Sequence, residues 1–177
     1  MSDIVFYASP RAGLRALLPR LLDACLERGW RALVQTASPE ESAQWDEWLW
    51  TYAPNSFLPH GLADAPHADE QPVCISHQAA RPPNKAEVVF LLEGAHRTDG
   101  DKFRRQVYVW EDAGAPEPRA AMEAAWRAHQ AAGASCIWWE RVSGKWQQRP
   151  PSAESTPSAS APAEDRMPAA DSMKEAE

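Results

Sequence analysis

The stretch Trp45-Asp46-Glu47-Trp48-Leu49-Trp50-Thr51-Tyr52-Ala53-Pro54-Asn55-Ser56-Phe57-Leu58-Pro59-His60-Gly61-Leu62 decides how this chain is read. It gathers three tryptophans, a tyrosine and a phenylalanine, and it closes on two prolines and a glycine. Trp45, Trp48 and Leu49 stand at i, i+3 and i+4, a spacing that stacks side chains on one helical face. Pro54 disfavours helix at the residue before it, so the helix is expected to end near Tyr52. Residues 55–62 then run extended and carry Phe57 and His60. A single helical face cannot hide Trp45, Trp48, Trp50, Tyr52 and Phe57 together. Either a compact loop folds them back onto the domain, or some stay exposed, and an exposed aromatic cluster marks a partner surface.

Upstream, Asp3-Ile4-Val5-Phe6-Tyr7-Ala8 is a short apolar run suited to a strand. Ser9-Pro10 offers an N-cap and a first helical residue. Pro19 interrupts the leucine pattern, which argues against one unbroken helix. The main helix is therefore expected from about Pro19 to Arg28, with Leu18, Leu21, Leu22, Cys25 and Leu26 inward and Gly29 ending it. Arg31-Ala32-Leu33-Val34-Gln35-Thr36 reads as a second strand, and Ser38-Pro39-Glu40-Glu41 as a helix start with acids in its first turn.

Downstream, residues 63–71 form a polar loop. Residues 72–76 and 86–92 read as strands; the second is apolar throughout, as a strand covered on both faces should be. Residues 103–109 fit either a strand or a helix-to-strand passage. Residues 117–132 are Ala-rich and helical, ending at Gly133. Residues 135–142 make a last strand, which Ser143-Gly144 can turn back into Lys145-Trp146-Gln147. Strands alternating with helices give an α/β domain with a mainly parallel sheet, Rossmann-like in layout.

Such a layout invites a test for nucleotide binding. A dinucleotide site needs G-x-G-x-x-G after the first strand, so that the backbone can approach the pyrophosphate. The chain has Ala8-Ser9-Pro10-Arg11-Ala12-Gly13 there, and no G-x-x-x-x-G-K-S/T anywhere. No cofactor is expected. His60, His67, Cys74 and His77 are zinc-ligand types, but their spacing lacks the paired pattern of structural zinc sites and Cys74 falls inside a strand. Glu93, Asp99 and Asp101 beside His96 and Arg97 imitate an acid–base site, for which a charged loop after a strand is the plainer account. No G-x-S-x-G elbow occurs, so no catalytic or metal residue is assigned.

Asp46-Glu47-x-Leu49-Trp50 followed by Ser56-Phe57-x-Pro59-His60-x-Leu62 resembles the central signature of the chi subunit of bacterial DNA polymerase III holoenzyme. More loosely, the resemblance covers residues 4–146. It implies an α/β fold and a non-catalytic accessory of the clamp loader. It also implies two partners: the psi subunit, and the acidic C-terminal tail of single-stranded DNA-binding protein. For the psi-like contact the matching positions are Trp50 and Phe57, with Pro59 and His60 shaping the segment. For the tail, Ala125-Trp126-Arg127-Ala128-His129-Gln130-Ala131-Ala132-Gly133 is similar to the family's aromatic–basic helix, which gives Arg119, Trp126 and Arg127 as contacts. Glu123 and Ala125 depart from it, since the family often has basic residues there, and Arg141 is a substitute base. The competing function class is a small cytoplasmic α/β enzyme with unrecognised catalytic residues.

The 177 residues suggest one domain, residues 1–149, with an appendage. Residues 150–177 are built from Pro, Ala, Ser and acids and bury too little apolar surface to order, so a disordered tail is expected. Its acids Glu154, Glu164, Asp165, Asp171, Glu175 and Glu177 outnumber Arg166 and Lys174, so the tail holds over half of the net charge of −7. A weakly acidic body argues against broad contact with a nucleic-acid backbone. No basic segment leads an apolar run at the amino terminus, and no run is long enough to span a bilayer, so neither secretion nor a membrane anchor is expected. Cys25, Cys74 and Cys136 are far apart, each in an apolar run, which reads as core residues in a reducing cytoplasm.

Overall fold

The computed structural model describes residues 3–9, 13–78, 81–111 and 116–148. Eight strands form one sheet: β1 (Asp3–Ser9), β2 (Ala32–Gln35), β3 (His60–Leu62), β4 (Val73–Ser76), β5 (Val88–Leu92), β6 (Arg105–Glu111), β7 (Cys136–Val142) and β8 (Lys145–Gln148). Their spatial order is β3-β4-β2-β5-β6-β1-β7-β8. Every neighbouring pair is parallel except the β7–β8 hairpin. That hairpin turns through Ser143 and Gly144 at φ 51° and 80°. Two positive φ values in succession suit a tight hairpin turn, and glycine adopts its half without strain. Three helices complete the domain: α1 (Leu14–Glu27), α2 (Pro39–Thr51) and α3 (Pro116–Ala131).

A parallel sheet must be covered on both faces, and side-chain alternation divides the work. Val5, Tyr7, Val34, Val73, Ile75, Val88, Phe90, Val107 and Val109 point to one face, beneath α1 and α2. Ile4, Phe6, Ala8, Trp110 and Trp138 point to the other, where α3 contributes Met122 and Trp126. Further along that second face, Leu33, Cys74, Val89 and Leu91 are covered by Ala68, Ala95 and Phe103, which come from connecting segments rather than a helix. All of β5 is buried, as its unbroken apolar run foretold.

α1 departs from the sequence-based expectation. It begins at Leu14 with Gly13 at its N-cap, and Pro19 lies inside it. Ser9 ends β1 and caps nothing in the described helix; Pro10 lies outside the described residues. The helix survives Pro19 because the carbonyl that proline leaves unpaired, Arg15 O, accepts a hydrogen bond from Trp48 Nε1 at 3.1 Å. The Arg15 guanidinium also lies over the Trp48 ring, 4.9 Å from its centroid. The aromatic helix thus repairs its neighbour.

α2 matches expectation at both ends. Ser38 is its N-cap and accepts from Glu41 N, while Glu41 Oε2 reaches back to Ala37 N. Tyr52 is its C-cap. The extended stretch that follows holds a strand the sequence did not disclose: residues 60–62 pair with β4 as an edge. Residues 100–102 form a 3₁₀ turn before β6, which resolves the ambiguous 103–109 passage as a strand. Cys25 and Cys74 are buried, whereas Cys136 is only half-buried. The expected tail, residues 150–177, lies outside the described residues. No described helix is long and apolar enough to cross a membrane.

Trp48→Phe deletes the indole donor and leaves Arg15 O unpaired, at an expected cost of about 0.5–1.5 kcal/mol. In a Pro19→Ala background, where a backbone N–H takes over, the same change should cost clearly less. Denaturant unfolding of the four proteins in this cycle checks the coupling.

Candidate protein-interaction surface

Among the described residues, Trp50 and Phe57 are the exposed large hydrophobic side chains, at 56% and 73% of full exposure. Helical period explains Trp50: Leu49 is buried and Trp45 and Trp48 pack partly against the same core, so the intervening position faces outward. Phe57 is outward because its neighbour Leu58 is inward, 1% exposed. The two rings approach to 6.2 Å between centroids with planes tilted by 49°, which makes one patch of two side chains.

His60 sits beneath that patch and is itself 3% exposed. Its ring centroid is 4.7 Å from that of Trp50. Nδ1 lies 2.7 Å from Leu58 O, and Nε2 lies 3.1 Å from Asp46 O and 3.6 Å from the Asp46 carboxylate. Pro59 is half-buried between two anchors, Leu58 in the core and His60 against α2. At the other end of the segment, the Tyr52 hydroxyl bonds to Ser56 and reaches Asp23 Oδ2 at 3.4 Å. The four residues that sequence reasoning assigned to a partner contact are brought together. Two of them, Trp50 and Phe57, provide surface, and Pro59 and His60 hold it up. Leu58, which no motif singled out, is the deeper anchor. The signal for it was alternation, with Phe57 outward and Leu58 inward.

The second group of assigned residues is arranged differently. Trp126 is 7% exposed and meets Phe6 and Trp138 edge-on, at 5.5 and 5.8 Å between centroids. It is part of the core beneath α3. Arg119 shares that sheet-facing side, as its seven-residue spacing requires, and bonds to Glu140 Oε1 at 2.6 Å and Glu123 Oε1 at 3.2 Å. The same Glu140 oxygen accepts from Trp138 Nε1 at 3.0 Å. Arg127 is exposed. Arg141 is exposed, with Nε 3.4 Å from Gly144 O. Strand alternation directs Trp138 and Glu140 towards α3 and sends Ile137 and Trp139 to the face of α1 and α2, and Arg141 follows the latter. The structure therefore joins Arg119 to Trp126, but not Arg141 to the bases of α3. Glu140 went unnoticed in the sequence although its i, i+2 relation to Trp138 places it under the helix.

The match to known proteins is consistent with this geometry. Residues 1–136 fit the family model described as DNA polymerase III chi subunit, HolC. The chain belongs to the DNA polymerase III chi subunit family. A protein named probable DNA polymerase III subunit chi, from Rickettsia prowazekii (strain Madrid E), is 26% identical over 87 residues. That alignment covers 49% of this chain and 52% of the relative, so the chain matches about half the length of the curated relative. The family match reaches the first residue of β7 but not the rest of the β7–β8 hairpin.

Other side-chain groups of this chi-family chain have structural partners. Arg97 donates from Nε and Nη2 to Asp99 at 2.9 and 3.0 Å and from Nη1 to Gln35 Oε1 at 2.8 Å, and it lies over Phe103. This pins the segment between β5 and β6 onto the second face of the sheet. A cleft of about 430 Å³ beside it is lined by Ile4, Thr98, Gln106, His129 and Gly133. His129, on the wall of that cleft, meets the Tyr108 hydroxyl with Nε2 at 2.9 Å. Burial lowers His129 below its ordinary value and pushes Tyr108 up to about 12. Burial likewise raises Cys25 to about 12 and Cys74 to about 11, which keeps these thiols protonated. Cys74 Sγ donates to Ala68 O, and His67 pairs with Glu70 at the surface. No group of three or more His, Cys, Asp or Glu among the described residues could hold a metal ion.

The burial of Trp126 separates two mutational outcomes. Trp126→Ala should destabilise the domain by about 3–5 kcal/mol, as truncation of a core aromatic does. Arg127→Glu, on the exposed side of the same helix, should change stability by no more than about 0.5 kcal/mol. Thermal and denaturant unfolding of the two variants checks the contrast.

Proposed function

We propose that this chain is a non-catalytic, cytoplasmic accessory subunit of the DNA polymerase III clamp-loader assembly, joining it to the acidic C-terminal tail of single-stranded DNA-binding protein. The observation that carries the reading is the Trp50–Phe57 pair, exposed on a rigid base within the family's signature. Two fixed aromatics supply large contact area at small entropic cost, which suits them to anchor a partner such as the psi subunit or its equivalent. Their exposure has no role in the core, which supports a surface built for contact. Trp50→Ala with Phe57→Ala should weaken psi binding at least thirtyfold, the order of one lost anchor, with an unchanged circular dichroism spectrum and melting temperature. Retained binding in a titration would move the partner surface elsewhere.

For the acidic tail, the reading assigns α3 and its exposed Arg127, with Arg119 and the core-packed Trp126 beneath; Arg141, on the other face of the sheet, is left out of it. Arg119 already faces two carboxylates, so an acidic ligand must compete with Glu123 and Glu140 for it. Arg127 has no such competitor in the described structure and is the stronger contributor. A well-formed bond to a charged group contributes about 1.5–3 kcal/mol. Arg127→Glu should therefore weaken binding of a tail peptide more than tenfold at low salt, and Glu123→Arg should strengthen it. Deleting residues 151–177 should leave the affinity unchanged; tighter binding on deletion would mean that the acidic extension competes for the same bases. Fluorescence anisotropy with a labelled tail peptide reads all three.

A further inference from the structure

The second face of the sheet is covered in two parts. α3 covers the part that holds Ile4, Phe6 and Trp138, and connecting segments cover the part that holds Leu33, Val89 and Leu91. Tyr108 packs against both groups, so β6 runs along the seam between them. Alternation fixes what lies on the floor of that seam. Gln106 stands two residues before Tyr108 on the same face of β6, in register with Ile4 of β1 on one side and Val89 of β5 on the other. The cleft of about 430 Å³ lies at this seam, with the segment 97–101 as one wall and residues 129–134 as the other. Gln106 and Ile4 lie between the walls. A cleft of that volume accommodates a small organic molecule.

Gln106 is 4% exposed, yet its carboxamide forms no hydrogen bond among the described residues. Burying an amide without a partner is unfavourable, and an apolar side chain of the same size would avoid the penalty. The fold also makes room for this group. A Cβ at Gly100 would lie 2.1 Å from Gln106 Oε1, so an alanine there would displace the carboxamide. The charges nearby are already balanced or negative. The Arg97 guanidinium is fully buried and held by Asp99 and Gln35. Burial keeps His129 below its ordinary value, so its ring is neutral at pH 7. The Asp101 carboxylate is exposed at the rim, and the carbonyl end of α3 adds negative potential. An anion is therefore disfavoured here.

We propose that this cleft is a binding site for a small uncharged molecule with a planar amide-type edge, a hydrogen-bond donor beside an acceptor. Gln106 Oε1 accepts from the donor, and Nε2 donates to the acceptor. A primary carboxamide and the amino-bearing edge of adenine share that pattern. The site lies at the opposite end of α3 from Arg119 and does not depend on the partner contacts proposed above.

The test is a titration of the ¹⁵N-labelled full-length protein with benzamide and with adenosine, each to millimolar concentration. The side-chain amide of Gln106 and the backbone signals of Gly100, His129 and Gly133 should shift with at least one probe, and which one identifies the source of the edge. Benzoate and purine riboside match these probes in shape but lack the donor, and should bind at least roughly tenfold more weakly, the order of one lost bidentate pair. Gln106→Met keeps the size and removes the edge, so it should lose binding to the same degree while melting no lower than the wild type. Gly100→Ala keeps the carboxamide but displaces it, and should weaken binding too. Absence of shifts at the cleft with both probes overturns the proposal, as do benzoate and purine riboside binding as tightly as their counterparts, or undiminished binding by both variants. A Gln106→Met protein that melts well below the wild type would make the carboxamide an architectural group and overturn it as well.

Discussion

A parallel sheet has two faces to hide, and the described residues hold three α-helices with which to hide them. α1 and α2 cover the first face, and α3 covers only part of the second. The remainder of the second face is covered by segments without regular structure, and these need side chains to hold them down. Arg97 does this between β5 and β6, with Asp99, Gln35 and Phe103. Asn84 does it beneath the other crossover, where its amide nitrogen donates to Ala32 O, Gln71 O and Pro72 O. The Arg97 group looks chemical in the sequence, yet both it and Asn84 are architectural in the structure, because buried loops must satisfy their polar atoms locally.

The aromatic stretch at the centre of the chain is divided by the same geometry. Trp48 supplies a donor to the carbonyl that Pro19 leaves unpaired inside α1, Trp45 and Tyr52 pack partly against the core, and Trp50 and Phe57 are left as the exposed rings. Composition overstated the cluster available to a partner. The interaction reading becomes narrower and sharper: a two-ring patch standing on a buried histidine.

Much of the fold was legible because the signals were local. Ser38 and Pro39 announce α2, the apolar run of β5 announces a buried strand, and Ser143-Gly144 announces a hairpin. What could not be read depended on distant partners. Pro19 should end a helix, and nothing near it in sequence reveals that an indole 29 positions away from the proline takes the freed carbonyl. β3 is three residues long and exists through its pairing with β4, so no periodicity could mark it. For the candidate sites the division is similar. The exposure of Trp50 follows the helical period that buries Leu49, and that of Phe57 follows its alternation with Leu58. The commitment of Arg119 to Glu140 required the register of β7 beneath α3, which sequence spacing does not contain.

The sheet also ends in a particular way. Its two edges are β3, of three residues, and β8, of four. Unpaired strand edges are templates on which a second chain can grow a ladder, and the longer and flatter the edge, the better the template. β3 offers too few free backbone groups to seed a ladder, and β8 opens with a lysine whose charge repels a copy of itself. Among the described residues, edges this short give a second copy little backbone to pair with. Contact through side chains can then be selective, while contact through backbone, which any extended polypeptide could make, is closed off.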